Sequence, residues 1–176
     1  MYRLLNQLLN NYRSSIRPVI DFTTQTHVHF ATELTSLIEV DEKQGSVYLL
    51  LQTTMTWTDE FLTWNPADFD DVTYVMIKAS DVWLPDIVPR HAIDFAAHTG
   101  YADSPGDITF VHVDSNGTIW LRQPQRLLVK CNRFEMSQYP FDQQQCVVTF
   151  GSFSYPSDDL SVAHLEGYNY KSVQDK

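Results

Sequence analysis

From Thr26 onward the chain alternates. In "THVHFATELTSLIEV" Val28, Phe30, Thr32 and Leu34 fall on one side and His27, His29, Ala31 and Glu33 on the other. A period of two over that length fits a long strand with one buried face. The polar run Asp41-Glu42-Lys43-Gln44-Gly45 breaks it, and "SVYLLLQTTMTWTDEFLTW" returns as a second long strand, so the pair is expected to form a hairpin. Beyond it the β-rich runs "DVTYVMI", "DITFVHV", "TIWLRQ", "RLLVKC", "QCVVTFGSFSY" and "LSVAHL" are separated by Pro, Gly, Asp and Asn. Turn signals at roughly ten-residue spacing predict an all-β sandwich. "VHVDSNGTIWL" is the clearest short hairpin, with Asn116-Gly117 at its turn.

Before the alternation, "YRLLNQLLNNYRSSIRP" places Leu4, Leu5, Leu8, Leu9, Tyr12 and Ile16 at helical spacing. One amphipathic helix over about residues 2–17 is predicted, ended by Pro18 and followed by a sandwich over about residues 22–176. The tail "EGYNYKSVQDK" lacks a closing hydrophobic strand, so the last strands of the sandwich are expected to be missing. No repeat, low-complexity tract or linker divides the chain, and 176 residues with 43% hydrophobic content supply one core, so residues 1–176 are read as a single domain.

The formal net charge of -10 disfavours a nucleic-acid partner, which needs a basic face, and suits cations, cationic ligands or plain solubility. No run approaches the roughly 18 apolar residues of a membrane span. The chain opens directly on a polar helix, without a signal peptide. Cys131 and Cys146 are its two cysteines, and with no third Cys and no His close by in sequence they fit a disulfide better than a zinc site; two free buried thiols are the alternative. A ring of this size would remove unfolded-state freedom on the order of 3 kcal/mol. Such a bond persists outside the cytosol. Asn116-Gly117-Thr118 is a glycosylation sequon that agrees with an extracellular address, with Asn116 as the acceptor, and the same dipeptide serves a hairpin turn.

The common hydrolase and nucleotide signatures are absent, so neither catalysis nor a cofactor is expected. His27 and His29 share a strand face and would be half of a metal site, but no carboxylate or third His is placed beside them, and a solvated face is the simpler account. Asp68, Asp70 and Asp71 lack the spacing of a calcium loop and read as a solvated turn; no metal is expected. Trp57, Trp64, Trp83, Trp120, Phe153 and Tyr155 lie near strand ends or turns. Aromatic faces there can hold an organic cation, although each alone is more often core.

Together these motifs carry a resemblance. Trp57-Thr58-Asp59 with Trp64-Asn65-Pro66, then Trp83, Pro85 and Asp86, then the ring around Tyr139-Pro140-Phe141-Asp142, then Phe150-Gly151-Ser152 follow one another in the order of the extracellular domain of the Cys-loop, or pentameric ligand-gated, ion channels. The chain resembles the nicotinic acetylcholine receptor branch most, from about residue 2 to about residue 160. The resemblance implies an N-terminal helix on a twisted, immunoglobulin-like β-sandwich of about ten strands. It implies a homo- or hetero-pentamer with related subunits and a small-molecule agonist, a cationic or zwitterionic amine, held between neighbours. It also implies the extracellular face of the plasma membrane and a transmembrane domain absent from this chain.

Carried over position by position, the principal face of that site falls on Arg90, Phe153 and Tyr155, and the complementary face on Gln52, Thr54, His112, Trp120 and Arg122. Arg90 stands where the family usually has Tyr, Phe153 where the nicotinic pattern has Trp, and Gln52 where Trp is usual; loop C lies beyond Lys176 or is absent. A guanidinium at position 90 would repel an ammonium ligand by about a few kcal/mol at short range in a partly desolvated site. The expectation is that acetylcholine is not bound in the usual way, and that the chain either takes an anionic or zwitterionic ligand through Arg90 or Arg122 or serves as a non-binding subunit. Trp120 and Gln52 are equally assembly contacts in this scheme.

The resemblance implies that the ring Cys131–Cys146 passes motion to a membrane domain, with Tyr139, Pro140, Phe141 and Asp142 as its contact. A secreted soluble protein resembling the molluscan acetylcholine-binding proteins is the alternative; the apolar residues Phe134, Met136, Tyr139 and Phe141 favour the channel, since exposing them in a soluble protein is a liability. The ring encloses one residue more than most rings of the family. An enzyme or carbohydrate-binding sandwich has no residue constellation to recommend it.

Overall fold

The computed structural model describes residues 2–90, 92–94, 109–131, 141 and 144–165. The chain begins with helix α1, Tyr2–Leu9, whose Leu4 and Leu8 are buried in the core. The predicted helix over 2–17 is thus cut short. The last helical bond is from the Asn10 N–H to the Asn6 carbonyl, and Asn11 then takes a left-handed conformation at φ 66°, the usual way for an asparagine to end a helix. Ile16, placed on the helical stripe by its spacing, is exposed. Tyr12 still packs inward, because its hydroxyl donates to Asp59 Oδ2 at 2.6 Å and accepts from the Trp83 N–H at 3.0 Å.

The alternation produces the expected long hairpin, β1 (Thr26–Asp41) with β2 (Ser46–Thr58), paired from His29↔Thr56 down to Asp41↔Ser46. The second strand stops at Thr58 because Asp59 turns the chain: its Oδ1 accepts the N–H groups of Phe61 and Leu62. The remaining strands are β3 (Tyr74–Lys78), β4 (Ile87–Pro89), β5 (Ala92–Asp94), β6 (Phe110–Asp114), β7 (Thr118–Lys130), β8 (Phe150–Ser152) and β9 (Leu160–His164). Seven of them form one sheet in the order β3-β6-β7-β2-β1-β9, with β5 also on β7, and β4 pairs with β8 in a second, two-stranded sheet. The fold is therefore all-β behind one N-terminal helix, a sandwich-like arrangement with nine strands among the described residues.

The runs "TIWLRQ" and "RLLVKC" are one strand rather than two. β7 pairs with β2 without interruption from Ser46↔Lys130 to Thr58↔Thr118, straight through Pro124 opposite Gln52. On its other edge Pro124 lies between the stretch that meets β6 and the stretch that meets β5, where the missing N–H is tolerated. The β6–β7 hairpin turns where expected: the Gly117 N–H donates to the Asp114 carbonyl, and Gly117 alone takes a positive φ, 85°. A Cβ there would meet the Asp59 carbonyl oxygen at 2.4 Å, so glycine is needed for contact as well as for conformation.

The core lies between the large sheet, the helix and the β4–β8 pair. Trp57, Trp64 and Trp83, at 2%, 9% and 3% exposure, belong to it, as do Val28, Phe30, Met55, Val111, Val113, Ile119 and Leu121. Trp57 and Trp83 meet edge to face at 6.2 Å between ring centroids. A second cluster, Val47, Leu51, Leu127 and Val129, surrounds the Cys131–Cys146 disulfide, whose Cα atoms are 4.9 Å apart. The Cys131 N–H donates to the Gly45 carbonyl at 2.8 Å, so the root of the ring abuts the turn between β1 and β2. Buried Arg17 ties the segment after the helix to the entry of β9: it contacts the carbonyls of Phe22, Thr24 and Asp159 and pairs with the Asp159 carboxylate at 3.4 Å.

Candidate functional site

Side chains on opposite faces of a strand alternate, and register carries that alternation across a sheet. In β2 the odd positions Leu51, Met55 and Trp57 enter the core, so Gln52, Thr54 and Thr56 face outward. Thr54 pairs with Arg122 and Thr56 with Trp120, while Trp120 pairs with His112 on β6. All five residues assigned to the complementary face, Gln52, Thr54, His112, Trp120 and Arg122, therefore share the outer face of β2, β6 and β7. Trp120 is 38% exposed and Arg122 is exposed, whereas Thr54 is 4% exposed beneath its neighbours. Met76 of β3 pairs with His112 and extends the same row. The Tyr74 and His112 rings lie 4.7 Å apart between centroids.

Tyr74, Met76 and Phe110, each about half exposed, widen this surface into an apolar strip. They are the residues that sequence reasoning missed. Part of the signal was present: in "TYVMIK" and "TFVHVD" the odd positions Val75, Ile77, Val111 and Val113 are the core face, yet Tyr74, Met76 and Phe110 on the opposite face are apolar as well, which is more than a strand with one solvated face requires.

The three residues expected on the principal face lie elsewhere: Arg90 directly follows β4, and Phe153 and Tyr155 are in the turn after β8. Strand β4 pairs with β8 through Ile87↔Ser152, Val88↔Gly151 and Pro89↔Phe150, and the Arg90 N–H donates to the Thr149 carbonyl. Asp86 holds the exit of β8 in place. Its Oδ1 accepts the Ser152 hydroxyl at 2.6 Å, its Oδ2 accepts the Ser154 N–H at 2.5 Å, and its carbonyl accepts the Phe153 N–H at 3.3 Å. Burial pushes the Asp86 carboxyl up, but the Ser152 and Ser154 bonds outweigh it and hold the group below the ordinary aspartate value.

That anchoring separates the three side chains. Phe153 is 86% exposed. Tyr155 turns inward: its N–H donates to the Ser152 hydroxyl, its own hydroxyl accepts from Trp83 Nε1 at 3.2 Å, and the two rings meet edge to face at 6.0 Å. Arg90 is exposed, lies across Gly151 and donates to the Ser152 carbonyl. One aromatic face and one guanidinium are thus open to a ligand here, and Tyr155 is largely committed to the core.

A cleft of about 550 Å³ opens between β1, β2 and residues 146–150, lined by Phe30, Leu34, Leu49, Leu51, Val148 and Phe150 among others. No predicted ligand residue lines it. Of the ring's contact residues, Phe141 is 86% exposed; Tyr139, Pro140 and Asp142, like Phe134 and Met136, lie outside the described residues. Asn116 is exposed at the hairpin tip, with its Oδ1 accepting the Thr118 N–H at 3.0 Å. Hydrogen-bond geometry puts His27 against Ser161 at 2.7 Å on the outer face, and Asp68, Asp70 and Asp71 are all exposed. Among the described residues no group of three or more His, Cys, Asp or Glu is placed to hold a metal ion, and no helix is long and apolar enough to cross a membrane.

Over residues 1–175 the sequence matches the neurotransmitter-gated ion-channel ligand binding domain. It is 32% identical over 163 residues to the 5-hydroxytryptamine receptor 3A of Cavia porcellus, covering 93% of this chain and 32% of that protein. Identity is 30% over 165 residues with the 5-hydroxytryptamine receptor 3B of Homo sapiens, covering 94% and 36%. It is 30% over 164 residues with the neuronal acetylcholine receptor subunit alpha-2 of Gallus gallus, covering 93% and 30%. Relatives named for the two transmitters stand at comparable identity, so the match does not single out the nicotinic branch. The chain spans about a third of the length of these curated relatives. They are receptors and receptor subunits rather than enzymes, and the chain belongs to the family of neurotransmitter-gated ion-channel ligand binding domains.

Proposed function

We propose that the chain is the extracellular agonist-binding domain of a pentameric channel subunit, and that a small amine-type agonist sits between adjacent subunits. The observation that supports this most is the division of the site. Phe153 and Arg90 lie just past the ends of the β4–β8 pair, and Trp120, Arg122, His112 and Gln52 lie on the outer face of β2, β6 and β7. Each group is open on one side and incomplete. A ring of copies would bring the first group of one subunit against the second group of the next, and the apolar strip of Tyr74, Met76 and Phe110 would be covered by the same contact. Light scattering after size exclusion tests assembly, with a mass five times the 20.4 kDa chain expected. Calorimetric titration with acetylcholine, 5-hydroxytryptamine and simpler amines tests binding, and any saturable binding should be lost in both Phe153→Ala and Trp120→Ala. Binding by a monomer, or binding indifferent to Trp120, overturns the reading.

In the same scheme the Cys131–Cys146 ring passes agonist-induced motion to a membrane domain through Tyr139, Pro140, Phe141 and Asp142. Support comes from the bond between the Cys131 N–H and the Gly45 carbonyl, which sets the ring beside the β1–β2 turn, and from the bare Phe141. Asn116 would carry a glycan at the opposite end, about 40 Å away along β2 and β7. A mass loss on glycosidase treatment of protein secreted from eukaryotic cells, absent in Asn116→Gln, tests it. A soluble secreted pentamer is the alternative; attachment of the full-length gene product to membranes after carbonate extraction would exclude it.

A further inference from the structure

His27 and His29 occupy alternate positions of β1, so their side chains leave the same outer face of the sheet from Cα atoms about 7 Å apart, and both residues are exposed. Spacing alone fits a solvated face as well as half of a metal site. Register adds what spacing lacks. Strand β9 runs parallel to β1, with His27 beside Ser161 and His29 beside Ala163. His27 Nδ1 and Ser161 Oγ, 134 positions apart in sequence, lie at 2.7 Å. A serine hydroxyl accepts as readily as it donates, so an Nδ1–H donating to Ser161 leaves Nε2 with a bare lone pair on a ring held in one orientation. A partner on the second nitrogen is what fixes the tautomer and the ring plane of a metal-bound imidazole. Around His29 the neighbours are small, Ala163 on β9 and Thr56 on β2, so its ring has room to lean along the strand toward His27. Among the described residues no carboxylate pairs with either ring, and the Ser161 contact is the one hydrogen bond between them.

We propose that His27 and His29 chelate one divalent ion of the zinc, copper and nickel class through their imidazole nitrogens, with Ser161 as the positioning residue. Imidazole suits these ions, whereas calcium and magnesium need the oxygen ligands that the described residues do not supply here. Two ligands from one strand leave the other positions of a tetrahedral ion to water, so the site is open rather than structural. It lies apart from both proposed ligand half-sites: Arg90 and Phe153 are beyond β4 and β8, and Trp120 is two strands from His29 across Thr56. Metal binding is therefore independent of amine binding.

Calorimetric titration of the protein with zinc chloride, in a buffer that does not bind the metal, should show saturable uptake of one ion per chain. The imidazole resonances of His27 and His29 should shift together as zinc is added, ahead of those of the remaining histidines. His27→Ala and His29→Ala should each abolish the uptake, because one imidazole cannot chelate, while the thermal unfolding curve stays in place for exposed side chains. Ser161→Ala should weaken it by about tenfold, the usual cost of losing an orienting partner, and Ser161→Thr, which keeps the hydroxyl, should restore it. No saturable uptake by the wild type overturns the assignment. So does uptake that survives loss of either histidine, or zinc bound with the His27 and His29 resonances unmoved. Unchanged affinity in Ser161→Ala overturns the role given to Ser161.

Discussion

Trp120 and Arg122 project from a strand of 13 residues paired with β2 along its whole length, whereas Arg90 and Phe153 leave two strands of three residues each, held at their ends by Asp86 and Ser152. In the first region the position of every outward side chain is set by register, and a slip would move all of them into the core. In the second it is set by a few side-chain hydrogen bonds. The outer face of β2, β6 and β7, the proposed complementary half-site, is therefore the more rigid surface, and the residues after β4 and β8, the proposed principal half-site, are the part that local openings reach first. In the proposed assembly, division of labour would follow from construction: the register-set surface would pack a neighbour, and the β4–β8 end would adjust to a ligand.

The largest expected effect tests whether the clamp depends on the core. Trp83 is 3% exposed and touches both Trp57 and Tyr155, so Trp83→Ala should cost about 3–5 kcal/mol in denaturant unfolding. Amide exchange should rise around residues 151–155 more than in β2 and β7; equal rises would break the distinction. Next, Cys131→Ser combined with Cys146→Ser should cost on the order of 3 kcal/mol, without altering ligand affinity, because the disulfide packs in the second cluster, to which none of the proposed ligand residues belongs. A loss of affinity comparable with that of Phe153→Ala would contradict this.

Asp86→Asn should cost about 1–2 kcal/mol and loosen the exit of β8 while β2 and β7 keep their protection. Acid should act in the same place. Because Asp86 is held below its unfolded value, its contribution is present above the unfolded pKa and is lost as pH falls through the folded one. Buried Asp59 has the opposite sign: burial raises it despite the Tyr12 bond, so its favourable contribution is complete below the unfolded pKa and is lost as pH rises through the folded one. Unfolding of Asp86→Asn between about pH 2 and 6 should show less acid destabilisation than the wild type, around the unfolded aspartate value of about 3.9. The smallest effect on stability belongs to Trp120→Ala, less than about 1 kcal/mol for a side chain 38% exposed on the outer face; a large loss would make Trp120 a core residue rather than a site residue.

Periodicity made the long hairpin, the β6–β7 turn and the short strands legible, because each rests on local alternation and turn chemistry. It overran the helix, since Tyr12 and Ile16 keep helical spacing although Asn11 has already left the helix. It divided β7 at Pro124, whose tolerance depends on which neighbours β5 and β6 leave a gap. The candidate ligand residues were named through family motifs, and their grouping into two separate faces needed the register. The Tyr12–Asp59 bond spans 47 positions of sequence and has no local signature. Nor could spacing show that Tyr155 is spent on Trp83 while Phe153 stays bare.

The central claim is that each ligand site is shared between two copies. Mixing tests it directly: subunits carrying Phe153→Ala and subunits carrying Trp120→Ala, each unable to bind alone, are assembled together and titrated with the amine that the wild type binds. Recovery of a fraction of the sites is predicted, because some interfaces then pair an intact Phe153 with an intact Trp120 from its neighbour. If both residues served a site within one chain, no mixture would recover binding, and that result would contradict the account.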